Sequence, residues 1–98
     1  MSLEALVFRY IASAERVLAE VKVVLNPPSL DAKDVRKVVE AAKSYLKDAK
    51  YYRDTKRFEV SLASVAYCEG LLDALKLLGV VKFKWPVKKE KREREELS

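Results

Sequence analysis

The chain contains no histidine and no glutamine, and only one cysteine, one methionine, one asparagine and two glycines. Each shortage removes a class of chemistry. Without histidine there is no Ser-His-Asp or Cys-His set, and no zinc-ligand spacing is present. No glycine-rich loop exists to cradle a phosphate. Cys68 is alone, so no intrachain disulfide can form, and with no secretory segment at its start the chain is expected to be cytoplasmic. No apolar run approaches the length that spans a bilayer, so no membrane partner is expected. Two glycines and three prolines leave little material for strands and tight turns. Catalysis therefore has little to work with. The chain reads as a non-enzyme with no cofactor.

What remains is apolar and charged. Of the 98 residues, 50% are hydrophobic and 36% charged, with a formal net charge of +5. That balance suits one helix-rich domain and is too apolar for a disordered chain. Plentiful Lys, Arg and Glu beside scarce Asn, Gln and Met is the composition expected of a thermophile protein. The positive excess sits on the second helix and the C-terminal tail. It suits acidic partners without establishing them.

Apolar spacing predicts three helices, over about 3–25, 32–53 and 57–78. In the first, Leu6, Tyr10, Ala14, Val17, Val21 and Val24 form a stripe that Val7, Ile11, Leu18 and Leu25 widen. Ser2 and Leu3 are assigned no role. Asn26-Pro27-Pro28 stops the helix. Asp31 caps the second, whose face is Val35, Val38, Val39, Ala42, Tyr45, Leu46, Ala49 and Tyr52. Asp54-Thr55-Lys56-Arg57 makes a turn in which Asp54 or Thr55 would cap the third helix, and Gly79 ends it. Short linkers imply antiparallel neighbours. The expected fold is all-α: an up-down-up three-helix bundle in residues 1–85, with a short extended C-terminal segment and a charged tail over 86–98.

The third helix is the most informative. Val60, Ala63, Tyr67, Cys68, Leu71, Leu72, Ala74, Leu75 and Leu78 cover roughly two-thirds of its circumference. Glu59, Glu69, Asp73 and Lys76 occupy the remaining strip. One neighbour cannot cover so wide an apolar arc, so this helix is expected between two partners. Ala63, Gly70 and Ala74 would admit one of them closely. Leu71, Leu72 and Leu75 would face the other, or a second copy of the chain.

Three candidate sites follow. Glu69 and Asp73, one turn apart, have the spacing of a divalent-cation pair, but no histidine or third carboxylate accompanies them and a solvated face explains them better. Arg36, Lys43, Lys47 and Lys50 share one face of the second helix. With Arg57, Lys82 and Lys84 they would track phosphates while Phe83 or Trp85 stacks on a base, although Glu40, Asp48 and Asp54 interrupt the strip. Val81, Phe83 and Trp85 alternate with lysines. They make either a clasp folded over the bundle or an exposed recognition strand. Large aromatics beside an apolar core favour the clasp. Cys68 reads as a buried small side chain.

The run from Ser44 to Val80 resembles an archaeal helical family catalogued as domain of unknown function 357. Its A-Y-x-x-G-x-L-D-A core is matched by Ala66, Tyr67, Gly70, Leu72, Asp73 and Ala74. Its Y-L-x-D-A approach is matched by Tyr45, Leu46, Asp48 and Ala49. The resemblance implies a small all-helical fold and an archaeal source, and brings no activity with it. Some relatives look associated with a nucleotidyltransferase-like domain, which implies an accessory role. The turn from Ala49 through Tyr51, Tyr52 and Arg57 to Phe58 is more distantly similar to tetratricopeptide and HEPN hairpins. The HEPN ribonuclease motif needs a histidine that this chain lacks.

The expected function is a binding or assembly module, self-associating or joined to a protein partner through Leu71, Leu75, Val81, Phe83 or Trp85. The alternative is a nucleic-acid accessory protein that uses the basic strip.

Overall fold

In the computed structural model, which describes residues 2–24 and 31–86, the chain forms α1 (Leu3–Glu20), α2 (Ala32–Asp54) and α3 (Phe58–Leu77). Two short strands, β1 (Lys22–Val23) and β2 (Val81–Lys82), pair antiparallel. The Asn26-Pro27-Pro28 stop and all of the tail beyond Pro86 lie outside the described residues. The architecture is a three-helix bundle. Contacts between helices run in opposite directions along the chain, as antiparallel neighbours require. Ser61 and Tyr67 of α3 meet Ala49 and Tyr45 of α2. Phe8 and Glu15 of α1 meet Arg53 and Lys50 of α2.

Helix α1 buries Val7, Ile11, Ala14 and Val17, at spacings of four and three. The core stripe is therefore centred to one side of the expected line, and Leu6 and Tyr10 are only half-buried. Ser2 does have a role: its Oγ accepts the Ala5 amide at 3.1 Å and caps the helix. The helix ends at Glu20 rather than at the expected Leu25. Val21 turns extended, and Val23 pairs with Val81 while the Val24 amide donates to the Val80 carbonyl. A cluster of β-branched valines is as content in a strand as in a helix. The strand-like Val81 segment supplies the mate that decides between them.

The main core joins α1, α2 and α3 through Val7, Ile11, Ala14, Val17, Ala42, Leu46, Ala49, Val65, Cys68 and Leu72, and Trp85 belongs to it. A smaller cluster of Val35, Val39, Leu75, Val80 and Val81 lies under the two-strand ladder at one end. α3 packs more extensively along α2 than along α1. One polar group enters the core: the Ser61 hydroxyl donates to the Ala49 carbonyl at 2.6 Å and joins α3 to α2 where both backbones run close.

Two helix ends use one device with different residues. At the end of α3, Gly79 has φ 75°; its amide donates to the Lys76 carbonyl, and that of Val80 to Leu75. Both Val80 and Leu75 are buried in the same cluster, so the motif has its hydrophobic contact. At the end of α2, Lys56 has φ 62°, with the Lys56 amide donating to Arg53 and that of Arg57 to Tyr52. Thr55 donates its hydroxyl to the Tyr51 and Tyr52 carbonyls. It thus closes α2 and does not cap α3. Neither does Asp54, which α2 includes as its last residue; α3 begins with no side-chain cap.

A lysine in the left-handed region crowds its Cβ against the carbonyl, and glycine does not. Lys56→Gly is therefore expected to stabilise the fold by about 0.5–1 kcal/mol, and Gly79→Ala to destabilise it by about 1 kcal/mol. Urea unfolding of the two variants checks the opposite signs.

Candidate functional site

Helix α3 has three flanks. One meets α2, where Tyr67 stacks on Tyr45 with ring centroids 5.2 Å apart and planes 18° from parallel. The second meets α1, and there the C-terminal segment closes the groove. Trp85 is 2% exposed, and its Nε1 donates to Asp73 Oδ1 at 2.6 Å. Phe83 packs edge-on to Trp85, and Lys76 Nζ lies 5.0 Å over the Phe83 ring. The third flank is bare. Beyond Glu59, every exposed residue of α3 is uncharged: Val60, Ala63, Ala66, Tyr67, Gly70, Ala74 and Leu77, continuing into Leu78. Leu77 is 88% exposed, Tyr67 64% and Leu78 63%.

The arrangement inverts the expected one. The strip of Glu69, Asp73 and Lys76 is half-buried, and Phe83 and Trp85 cover part of it. Half of the apolar arc is left to solvent. Ala63, Gly70 and Ala74 were expected to admit a helix of the same chain, yet all three are exposed. A Cβ built on Gly70 meets nothing within 4 Å. Of the residues expected to touch a partner, Leu75, Val81 and Trp85 are buried in the chain's own core and Phe83 and Leu71 are half-buried. The segment is a clasp, and the recognition-strand reading of Val81, Phe83 and Trp85 is corrected. Apolar surface that has already left water has no further burial to contribute.

The other candidates gain less from the structure. Asp73 is engaged by Trp85, and among the described residues no group of three Asp, Glu or Cys side chains is placed to hold a metal ion. On α2, Lys43 pairs with Glu40 at 3.3 Å and Lys50 with Glu15 of α1 at 3.0 Å. Arg36 and Lys47 remain exposed beside them. Arg57 lies over the Tyr52 ring, 5.3 Å from its centroid. Lys82 stands opposite Lys22 in the strand ladder, with Lys84 exposed beyond it. The basic residues are thus distributed over helix face, turn and ladder, and carboxylates meet two of them. Cys68 is buried, as its place on the apolar arc suggests. Leu77 was outside the expected arc altogether. Its exposure follows from its place two residues after the core residue Leu75, on the opposite side of the helix.

A helical hairpin packed with α1 and closed by a two-strand ladder defines a class of small all-helical domain. The chain belongs to the family described as protein of unknown function, DUF357, whose model matches residues 9–81. No curated protein and no solved structure matches it. Among the described residues, no helix is long and apolar enough to cross a membrane.

Asp73→Ala removes the carboxylate that receives the buried indole N–H. It is expected to lower the unfolding free energy by about 1–3 kcal/mol and to shift the emission of the single tryptophan to longer wavelength. Asp73→Asn, which keeps an acceptor oxygen, is expected to do less of both. Unchanged emission and stability in Asp73→Ala would show that this hydrogen bond does not hold the clasp.

Proposed function

We propose that the protein is a non-catalytic helical assembly module that docks a protein partner on the outer face of α3. The observation that carries this reading is the uncharged, solvent-facing run from Val60 to Leu78 on a helix whose charged strip is partly covered. A free-standing helical domain normally turns its polar side outward. An exposed apolar patch rimmed by polar residues is a common mark of a protein-binding surface. Part of the face is held in place: Tyr67 stacks on Tyr45, and the Ser61 hydrogen bond joins α3 to α2, which lowers the freedom that Tyr67 loses on docking.

In the nucleic-acid reading, carboxylates meet Lys43 and Lys50, and Arg36, Lys47, Arg57, Lys82 and Lys84 are spread over helix face, turn and ladder rather than along one phosphate track. The two readings separate in extract of the source cells, run with and without nuclease. Tagged wild-type chain is expected to elute above its monomer mass, Leu77→Asp to fall to the monomer, and a double Arg36→Glu, Lys47→Glu variant to behave as wild type. A large species that survives Leu77→Asp and is lost on nuclease treatment or on reversing the two α2 charges would overturn the docking reading.

A further inference from the structure

We infer that the occupant of this face is a second copy of the chain, with two α3 helices packed antiparallel about a twofold axis at Gly70. The inference rests on the docking reading above and adds the identity of the partner and its register. The order of large and small side chains along the face supports it. An axis at Gly70 sets Leu77 opposite Ala63 of the other copy, and Tyr67, within one residue, opposite Ala74. Leu77 and Tyr67 then each meet an alanine, and the two glycines meet each other at the centre. A twofold contact is satisfied only by such a self-complementary surface, because residue i meets j wherever j meets i. The glycine crossing lets the helix axes approach to about 8 Å, the close end of the usual range.

Charge points the same way. Each copy carries a formal +5, which opposes self-association, yet none of that charge lies on the exposed part of α3 between Val60 and Leu78. The antiparallel arrangement also sets the positive end of each helix beside the negative end of the other. The C-terminal run KKEKREREEL is charged up to Leu97 and has no apolar side with which to cover the face from within the chain. Were the whole exposed face covered, on the order of 600 Å² per copy, a pair would bury at most on the order of 1,200 Å², the lower end of a stable interface. A reversible, concentration-dependent dimer is the form this area supports.

The test uses the purified full-length chain in sedimentation runs over a concentration series. A monomer–dimer equilibrium is expected, and it tightens as salt screens the repulsion between the like-charged copies. Gly70→Leu is expected to weaken the dimer at least about tenfold by forcing the helices apart. It should not lower the melting temperature of the dilute monomer, where the added side chain points into open space. Register is read by oxidative cross-linking. A mixture of Ala63→Cys and Leu77→Cys chains should give a mixed disulfide-linked dimer, and neither variant should cross-link efficiently alone. Buried Cys68 does not compete. A chain that stays monomeric at every concentration, a dimer indifferent to Gly70→Leu, or homo-cross-links from Ala63→Cys alone would each overturn the inference. A purified monomer that still loses a large complex in extract through Leu77→Asp would remove the second copy as partner and leave the docking reading in place.

Discussion

The indole of Trp85 decides which side of α3 the chain covers for itself. The two helices that flank α3 leave part of its wide apolar arc uncovered. The extended segment after Gly79 is the one remaining piece of described chain that could cover it. It does not cross the apolar face. The hydrogen bond from Trp85 Nε1 to Asp73, the Lys76 ammonium over Phe83 and the edge-on Phe83–Trp85 pair carry it to the charged strip on the other flank. The reason is polar satisfaction. A buried indole N–H needs an acceptor, and the apolar face has no side-chain carboxylate or amide to offer. Burying Trp85 against α1 and α3 gains its large apolar area only where Asp73 is within reach. The cost is that Tyr67, Leu77 and Leu78 stay in water.

The same segment determines how α1 ends. Val80 and Val81 arrive beside the chain leaving α1, and their backbone groups need partners. Val21 to Val24 unwinds to provide them. The ladder in turn covers Val35, Val39 and Leu75, so one end of the bundle is closed by backbone pairing and five aliphatic side chains. The opposite end is held differently, by Ser61 on the Ala49 carbonyl and by Arg53 over the Phe8 ring. The bundle is therefore fastened at both ends by contacts that three amphipathic stripes alone do not contain.

Residue by residue, the helices were legible because their apolar spacing is strong. Val35, Val39, Ala42, Leu46 and Ala49 lie where period 3.6 puts them, and Asp31 caps α2 by accepting the Lys33 amide. The end of α1 was not, since valines satisfy either conformation and only the distant Val81 chooses between them. The α3 face was half legible. Periodicity found the arc but could not say which half of it lies inward, because small residues pack equally well against a neighbour and against nothing. Ser61 and Asp73 looked like ordinary polar positions. Their roles depend on Ala49 and Trp85, each twelve residues away along the chain, and sequence pattern carries no information at that range.

A function common to the family has to be read from residues inside the matched stretch, 9–81. That stretch holds Ala63, Tyr67, Gly70, Ala74 and Leu77 and leaves out Phe83 and Trp85. The bare face thus lies within the matched stretch, while Phe83 and Trp85 of the aromatic clasp fall beyond it. Gly70 carries the point furthest. A glycine at mid-helix costs roughly 0.5–1 kcal/mol against alanine, and among the described residues nothing approaches it closely enough to require the missing Cβ. Monomer stability alone would favour alanine there. In the proposed pairing, glycine at that position would admit a close approach from outside the chain, and Tyr67 and Leu77 would lie against Ala63 and Ala74 of the second copy.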